Sequence, residues 1–130
     1  MPLFTVTMRS GRTADEKDAI SRAIHQASIS AGYPHDDMFQ RFFCLEQGDL
    51  KVDLNYPGLP KPRTEKMLMI EVLVSSGTDA ARKAHLLAAL IKTLDGAGTD
   101  PNDVMVFFGE VDRASSSFGG GQLASPVSTA

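Results

Sequence analysis

Residues 2–29 read PLFTVTMRSGRTADEKDAISRAIHQASI, and residues 68–95 read LMIEVLVSSGTDAARKAHLLAALIKTLD. The two segments match each other at a constant offset along the chain. The identical pairs include Val6 with Val72, Gly11 with Gly77 and Lys17 with Lys83. A fixed offset between matching segments marks an internal repeat, and two copies of this length indicate a duplicated supersecondary unit.

Each copy is predicted to form a β-α-β unit. A short apolar strand comes first, followed by a glycine turn and by a helix with apolar residues at spacings of three and four. Thr13 with Glu16 three residues later is the pattern of a capping box, which places the start of the first helix. The strands are predicted at residues 2–8 and 38–46 in the first unit and at 67–74 and 103–110 in the second.

Two such units predict an α/β (α+β) fold with one four-stranded mixed sheet, two helices on one of its faces and a small C-terminal hairpin. Strand–helix–strand crossovers between parallel strands are nearly always right-handed, which limits the possible arrangements. The length of 130 residues suits a single domain. Within that domain, 1–130, we expect unit one at 2–47, a connector at 48–66, unit two at 67–112 and a tail at 113–130.

A sheet with helices on one face leaves its other face open. We expect this open face to carry Phe4, Phe42, Val106 and Phe108 and to form an exposed apolar patch on a single chain. Large patches of this kind mark interfaces between proteins. Association of several identical copies, with cyclic symmetry, is therefore expected.

Composition excludes several classes of function. The net charge is −3 and there is no basic stripe, which argues against nucleic acid as a partner. No apolar run reaches the ~18 residues of a membrane span, and no signal peptide is visible, so no membrane partner and a cytoplasmic location are expected. The three histidines are dispersed, so no metal site is expected. Cys44 lies in an apolar strand, which favours a small core residue over a nucleophile.

The second residue suggests a chemistry. Removal of Met1 would leave Pro2 as the N-terminus, and a free α-amine titrates near pH 7.7–8.0. Burial disfavours the charged amine and lowers this value further. An amine of this kind is a candidate general base near neutral pH. If Met1 is retained, the Pro2 nitrogen is an amide and has no basicity; a proline here also suits the first residue of an ordinary strand.

An ordered set of motifs resembles the tautomerase superfamily. The segment 11–17, GRTADEK, is similar to the strand-to-helix turn of 4-oxalocrotonate tautomerase, and 118–124, FGGGQLA, to its C-terminal hairpin. The segments 37–40, DMFQ, and 55–58, NYPG, resemble the malonate semialdehyde decarboxylase-like subgroup. The segment 106–110, VFFGE, is similar to a strand of the cis-3-chloroacrylic acid dehalogenases.

This resemblance implies a homotrimer that works without a cofactor. It implies that Pro2 is the catalytic base or acid and that Asp37 positions or activates water, although Asp37 also suits a plain turn residue. It further implies a small-molecule carboxylate substrate held by arginine, whose fork of N–H groups matches a carboxylate. Arg12 is the candidate by match to the turn motif, Arg41 and Arg63 are candidates by position, and Phe118 is expected to wall the pocket.

The sequence also departs from the subgroup it resembles. Ser75 and Gly77 stand where the decarboxylase branch has a pair of arginines, and Phe107 stands where the dehalogenases have a tyrosine. We therefore expect a tautomerase-type enzyme acting through Pro2 on an enol or 2-keto acid. The alternatives are a malonate semialdehyde decarboxylase or hydratase-like activity, and a catalytically silent trimeric binding module.

Overall fold

The computed structural model describes residues 1–124, and the prediction for the tail beyond that point lies outside the described residues. The strands and helices appear in the predicted order, with bounds close to the predicted ones. They are β1 (Pro2–Arg9), α1 (Ala14–Ser30), β2 (Gln40–Leu45), β3 (Leu68–Ser75), α2 (Ala80–Gly96) and β4 (Val104–Val111).

The four strands form one mixed sheet in the order β2-β1-β3-β4. Each unit contributes a parallel pair, β1 with β2 and β3 with β4, and the two units meet where β1 and β3 pair antiparallel. Both helices pack onto one face of this sheet, because their apolar residues share one core with the strands. The predicted four-stranded fold is confirmed.

The two units repeat each other down to single backbone hydrogen bonds. The amide of Tyr33 donates to the carbonyl of Ser28 at 3.1 Å, and that of Thr99, at the matching place in the second unit, donates to Leu94 at 2.9 Å. The equivalent positions Asp37 and Asp103 likewise donate to the carbonyls of Pro34 and Asp100, at 3.1 and 2.9 Å. The chain is therefore pseudo-symmetric about the β1–β3 pairing.

The helices begin where the sequence predicts. Thr13 accepts a hydrogen bond from the amide of Glu16 at 3.1 Å, and the Glu16 carboxylate accepts one from the Thr13 amide at 3.1 Å, which completes the capping box. These bonds to Thr13 hold the pKa of Glu16 below its ordinary value. In α2 the carboxylate of Asp79 accepts from the amide of Arg82 at 2.8 Å. Both caps satisfy amides that the helix itself cannot pair.

The predicted assignment of the sheet faces was wrong. Phe4 is only 2% exposed, and it lies in the core under the helices. Phe42, Val106 and Phe108 pack against that same core. The open face carries the alternate residues instead. They are Leu3, Thr5, Thr7, Arg41, Phe43, Met69, Glu71, Leu73, Met105, Phe107 and Gly109.

Two smaller expectations also differ from the structure. Cys44 is exposed on the edge strand β2, so it is not a core residue. The described part of the tail contains a 3₁₀ turn at Arg113–Ser115 and no strand, and the amide of Ala124 donates to the carbonyl of Ser116 at 2.7 Å. Up to Ala124 the tail is therefore a closed loop rather than a paired hairpin.

Polar contacts hold the connector between the units against the body of the protein. The buried carboxylate of Asp103 accepts from the Thr64 amide at 2.7 Å and from the Thr64 hydroxyl at 2.5 Å. Lys61 forms an ion pair with Asp100 at 2.6 Å, which raises the pKa of Lys61 and lowers that of Asp100. Neither α1 nor α2, the helices among residues 1–124, is long and apolar enough to cross a membrane.

Candidate active site

The sheet has two chemically different ends. We call one the Pro2 end; it contains the first residues of β1 and β2 and the last residues of β3 and β4, as the register Pro2–Val74–Glu110 requires. The other, the Arg9 end, contains the last residues of β1 and β2. At about 3.3 Å per residue, the eight residues of β1 separate the two ends by roughly 23 Å.

At the Pro2 end, the structure brings the chain terminus and Asp37 together. Pro2 is buried as the first residue of β1, and by alternation its ring shares the helix-covered face with Phe4. The Met1 ammonium lies 2.6 Å from Oδ2 of Asp37, with the two side chains only 13% and 15% exposed. Asp37 therefore contacts the terminal nitrogen of the chain, one residue before the Pro2 nitrogen.

Two residues that sequence reasoning missed complete this cluster. Tyr33 follows α1 and is 9% exposed, and the guanidinium carbon of Arg82 lies 4.1 Å from the centroid of its ring. Burial raises the pKa of the Tyr33 hydroxyl; the Arg82 charge opposes this shift and the Asp37 charge adds to it. The Tyr33 hydroxyl therefore remains protonated at neutral pH.

Two of the predicted arginines lie far from Pro2 in the same chain. Arg12 is at the Arg9 end, where its Nη2 donates to the carbonyl of Lys66. It borders an open groove of about 680 Å³ that also contains Glu16 and Glu46. Arg63 is 9% exposed, and its Nη1 donates to the carbonyl of Asp53 at 2.7 Å. Within one chain, Arg63 stabilises the connector and neither arginine reaches Pro2.

Arg41 lies on the open face of the sheet, opposite to the face of the Pro2 ring. Its Nε donates to Oγ1 of Thr5 at 2.8 Å, and its guanidinium carbon lies 5.8 Å from the ring centroid of Phe43. It lines a shallow cavity of about 290 Å³ together with Leu3, Glu71 and Phe107. The side chain is thus positioned for a contact across the open face.

Phe118 belongs to the tail, which leaves the sheet at the Pro2 end after β4. Its side chain is 48% exposed, and the Arg113 guanidinium carbon lies 5.4 Å from its ring centroid. The backbone amide of Ser76 donates to the carbonyl of Val111 at 3.0 Å, which fixes where the tail begins. The tail therefore starts at the same end as the Pro2–Asp37 cluster.

No group of three or more histidine, cysteine, aspartate or glutamate side chains within residues 1–124 is arranged to hold a metal ion. The cluster described at the Pro2 end combines Asp37, Tyr33 and Arg82 with the chain terminus. This set can bind an anion and exchange protons.

Comparison with known proteins identifies the family of the chain. A family described as "Tautomerase enzyme" matches residues 37–119. The chain therefore belongs to the tautomerase family of enzymes. It is also 29% identical over 124 residues to the probable tautomerase YusQ of Bacillus subtilis (strain 168), covering 94% of this chain and 96% of that protein.

Solved structures place the chain beside one branch of the superfamily. The FG41 malonate semialdehyde decarboxylase inhibited by 3-bromopropiolate is 26% identical, with a TM-score of 0.84 over 92% of this chain and 91% of that one. A second malonate semialdehyde decarboxylase is 25% identical, with a TM-score of 0.84 and 92% of both chains covered. A fused 4-OT trimer shares the fold at 22% identity and a TM-score of 0.76, covering 94% and 95% of the two chains. The resemblance to the malonate semialdehyde decarboxylase-like subgroup is thereby confirmed.

Proposed function

We propose that this chain, after removal of Met1, is a cofactor-independent tautomerase that uses the Pro2 amine to move a proton within an enol or 2-keto acid. The observation that carries the proposal is the placement of Pro2, which is buried at the start of β1 with Asp37 reaching the chain terminus at 2.6 Å. Membership of a family of tautomerase enzymes supports it.

The proposed reaction needs only one basic nitrogen. The neutral Pro2 amine accepts the hydroxyl proton of the enol and becomes an ammonium, while the electrons of the O–H bond form the ketone. As the C=O bond forms, the electrons of the C=C bond take the proton from the Pro2 ammonium and make the new C–H bond, which regenerates the neutral amine. No electron acceptor or cofactor enters this balance, and general base catalysis of this kind is worth typically 10²–10⁴-fold in rate.

We propose that Asp37 positions the amine. Its Oδ2 now holds the Met1 nitrogen, which three covalent bonds separate from the Pro2 nitrogen. A carboxylate beside the amine would orient its N–H and stabilise the ammonium that forms during the reaction. Asp103 occupies the equivalent place in the second unit, but its carboxylate accepts from the backbone amide and the hydroxyl of Thr64. The two aspartates therefore share a position in the fold and have different hydrogen-bond partners.

A decarboxylase or hydratase-like activity is the second candidate. It is favoured by the two malonate semialdehyde decarboxylases at 25% and 26% identity and by the Asp37 contact, since an anion beside an amine favours its protonated, acidic form. Against it stand Ser75 and Gly77, which replace the arginines that the resemblance implies. Release of carbon dioxide from malonate semialdehyde would distinguish this activity from tautomerisation.

We also propose that the enzyme is a homotrimer whose copies meet through the open face. One similar structure is described as a symmetric trimer of fused 4-OT. The open face carries Phe43 and Phe107, which are 48% and 54% exposed on a single chain.

The experiment that tests the proposed activity compares phenylenolpyruvate ketonisation by the native protein and by Pro2→Ala, after intact-mass measurement shows that Met1 is absent. We expect Pro2→Ala to lose at least about 100-fold in kcat/KM, because it replaces the rigid secondary amine. Pro101→Ala, which changes a proline at the Arg9 end, is the matched control and should retain the native rate. Equal rates in native protein and Pro2→Ala would refute the proposal, and no rate in any of them would favour a silent binding module.

A further inference from the structure

Among the described residues, the Arg82 guanidinium at the Pro2 end has no polar partner. The backbone amide of Arg82 is bound by Asp79, but the structure from Met1 to Ala124 shows no hydrogen bond or ion pair to the side chain, only the stack on Tyr33 at 4.1 Å. The next residue, Lys83, is instead paired with Glu110 at 3.2 Å. Within that part of the chain, Arg82 therefore offers an exposed and unpaired positive charge.

The pseudo-symmetry shows that this charge is specific to one end. Arg82 occupies the place in the second unit that Glu16 occupies in the first. The first turn of α1 contains Asp15 and Glu16, as helix N-termini favour, whereas the first turn of α2 contains no acidic residue. A cation at this position opposes the helix dipole, so the exchange of glutamate for arginine is not explained by helix stability.

The surroundings of Arg82 connect it to the candidate catalytic residues. The charges of Arg82 and Asp37 both act on the Tyr33 hydroxyl, and Asp37 binds the chain terminus at 2.6 Å. Tyr33, which Arg82 stacks on at 4.1 Å, and Asp37, which binds the chain terminus, both belong to the short segment between α1 and β2. The Tyr33 ring covers one flat side of the guanidinium and leaves the N–H groups at its edge available.

The remaining arginines are used elsewhere or lie elsewhere. Arg9, Arg12 and Arg63 donate to backbone carbonyls of the connector. Arg41 donates to Thr5 on the open face. Arg22 lies on an exposed helix surface beside Gln26 and Lys92. Arg113, at the start of the tail, lies over Phe118 and has other contacts.

We propose that Arg82 is the residue that binds the carboxylate of the substrate at the Pro2 site, with the Tyr33 ring holding its guanidinium in place. This inference rests on the proposed function, since it assigns the substrate-binding cation of that same site. A guanidinium stacked on an aromatic ring keeps the planar fork that pairs with a carboxylate in bidentate fashion. The Pro2 amine would then act on the enol or ketone carbon beside that carboxylate.

The test measures ketonisation of phenylenolpyruvate and of its uncharged methyl ester by the native protein, Arg82→Gln and Arg82→Lys. For the acid, we expect Arg82→Gln to raise KM about ten- to hundred-fold with little change in kcat, the effect of losing one charge-assisted contact. For the ester, native protein and variant should behave alike. Arg82→Lys keeps the positive charge but loses the forked pair of N–H donors. Its KM for the acid should therefore lie between that of the native protein and that of Arg82→Gln.

Arg22→Gln is the matched control, because it removes an exposed helix arginine remote from Pro2. An unchanged KM for the acid in Arg82→Gln, or an equal loss for acid and ester, would overturn the assignment and leave the proposed activity intact. If the native protein turns over neither substrate, the proposed activity fails, and thermal stabilisation by 3-phenylpropionate decides the binding role. Stabilisation of the native protein but not of Arg82→Gln would then support the carboxylate site, and equal or absent stabilisation would reject it.

Discussion

At the scale of single residues, the two ends of the sheet differ at three equivalent pairs. Tyr33, Arg82 and the chain terminus occupy the Pro2 end, where the Arg9 end has Thr99, Glu16 and the continuous chain before β3. Pro2 was selected from the sequence because it follows the initiator methionine, and Asp37 because the segment around it resembles the malonate semialdehyde decarboxylase-like subgroup. Tyr33 and Arg82 could not be selected, because the contact that joins them lies between α2 and the turn after α1, which are distant in sequence. The sequence signal that could have pointed to Arg82 was the mismatch in the repeat, where Glu16 and Arg82 occupy equivalent positions.

Replacing Asp37 tests its role beside the amine. We expect Asp37→Asn to lower kcat/KM about tenfold and to move the acid limb of the pH–rate profile to lower pH, because the lost carboxylate no longer favours the protonated amine. Steady-state kinetics between pH 5 and 9 measure both effects. Asp36→Asn changes an exposed neighbour and should leave the profile in place. An unchanged pH–rate profile in Asp37→Asn would mean that Asp37 is only a structural residue of the turn before β2.

Tyr33 gives a stability prediction with a definite sign. Burial raises its pKa in the folded protein, so above pH 10 the unfolded chain releases the hydroxyl proton more readily than the folded one. The stability of the native protein should therefore fall as the pH rises through 10 and beyond. Tyr33→Phe has no proton to lose there, and thermal unfolding from pH 8 to 11 should show a smaller fall. An identical loss of thermal stability in the native protein and in Tyr33→Phe would contradict a raised pKa of the Tyr33 hydroxyl in the folded protein.

At the scale of elements, helix boundaries were predictable and sheet faces were not. Thr13 and Glu16 form a local signal that acts within a single helical turn, so the start of α1 follows directly from the sequence. In β1 and β3 apolar residues occupy both faces, so alternation alone does not say which face the helices cover. Thr5 and Glu71, which pair on the open face, were the polar residues that could have decided it. The exposure of Cys44 was missed because its edge position depends on strand order.

The helix caps give a prediction of stability at this scale. Thr13→Ala should lower the free energy of unfolding by about 1 kcal/mol, because the Glu16 amide loses its acceptor. Asp79→Ala, at the equivalent position before α2, should cost a similar amount. Gln26→Ala, which alters an exposed residue inside α1, is the control and should change stability by less than about 0.5 kcal/mol. Urea denaturation followed by circular dichroism measures all three; a Thr13→Ala value no larger than the control would mean that the cap contributes little.

At the scale of the whole molecule, the open face of the sheet carries exposed apolar residues, but they are not the residues that the sequence analysis assigned to it. Phe107 is 54% exposed in the middle of β4 and borders the cavity that contains Arg41. An uncovered sheet face was predictable, because both helices were expected on the same face of the sheet. The position of the partner chains could not be predicted, because it depends on contacts that no single chain contains.

The proposed trimer is tested on this face. Phe107→Asp should convert a native mass of three chains to that of one, since a carboxylate buried in an apolar interface is strongly unfavourable. Leu87→Asp alters a helix residue that is 39% exposed and should leave the native mass unchanged. Sedimentation equilibrium measures the mass, and circular dichroism shows that the helices remain folded. A trimer that persists in Phe107→Asp would place the interface elsewhere.

The duplication also has a genetic consequence. If two identical half-length chains built this sheet, one codon would set the residue at both ends, and a change that improved one end would alter the other. In the joined chain, codon 16 and codon 82 mutate independently, so glutamate can stay at one end while arginine stands at the other. A substitution at the Arg9 end therefore leaves the residue at the equivalent position of the Pro2 end unchanged. Measuring which substitutions are tolerated at equivalent positions of the two units, such as 16 and 82, would show how far the two units differ in their sequence requirements.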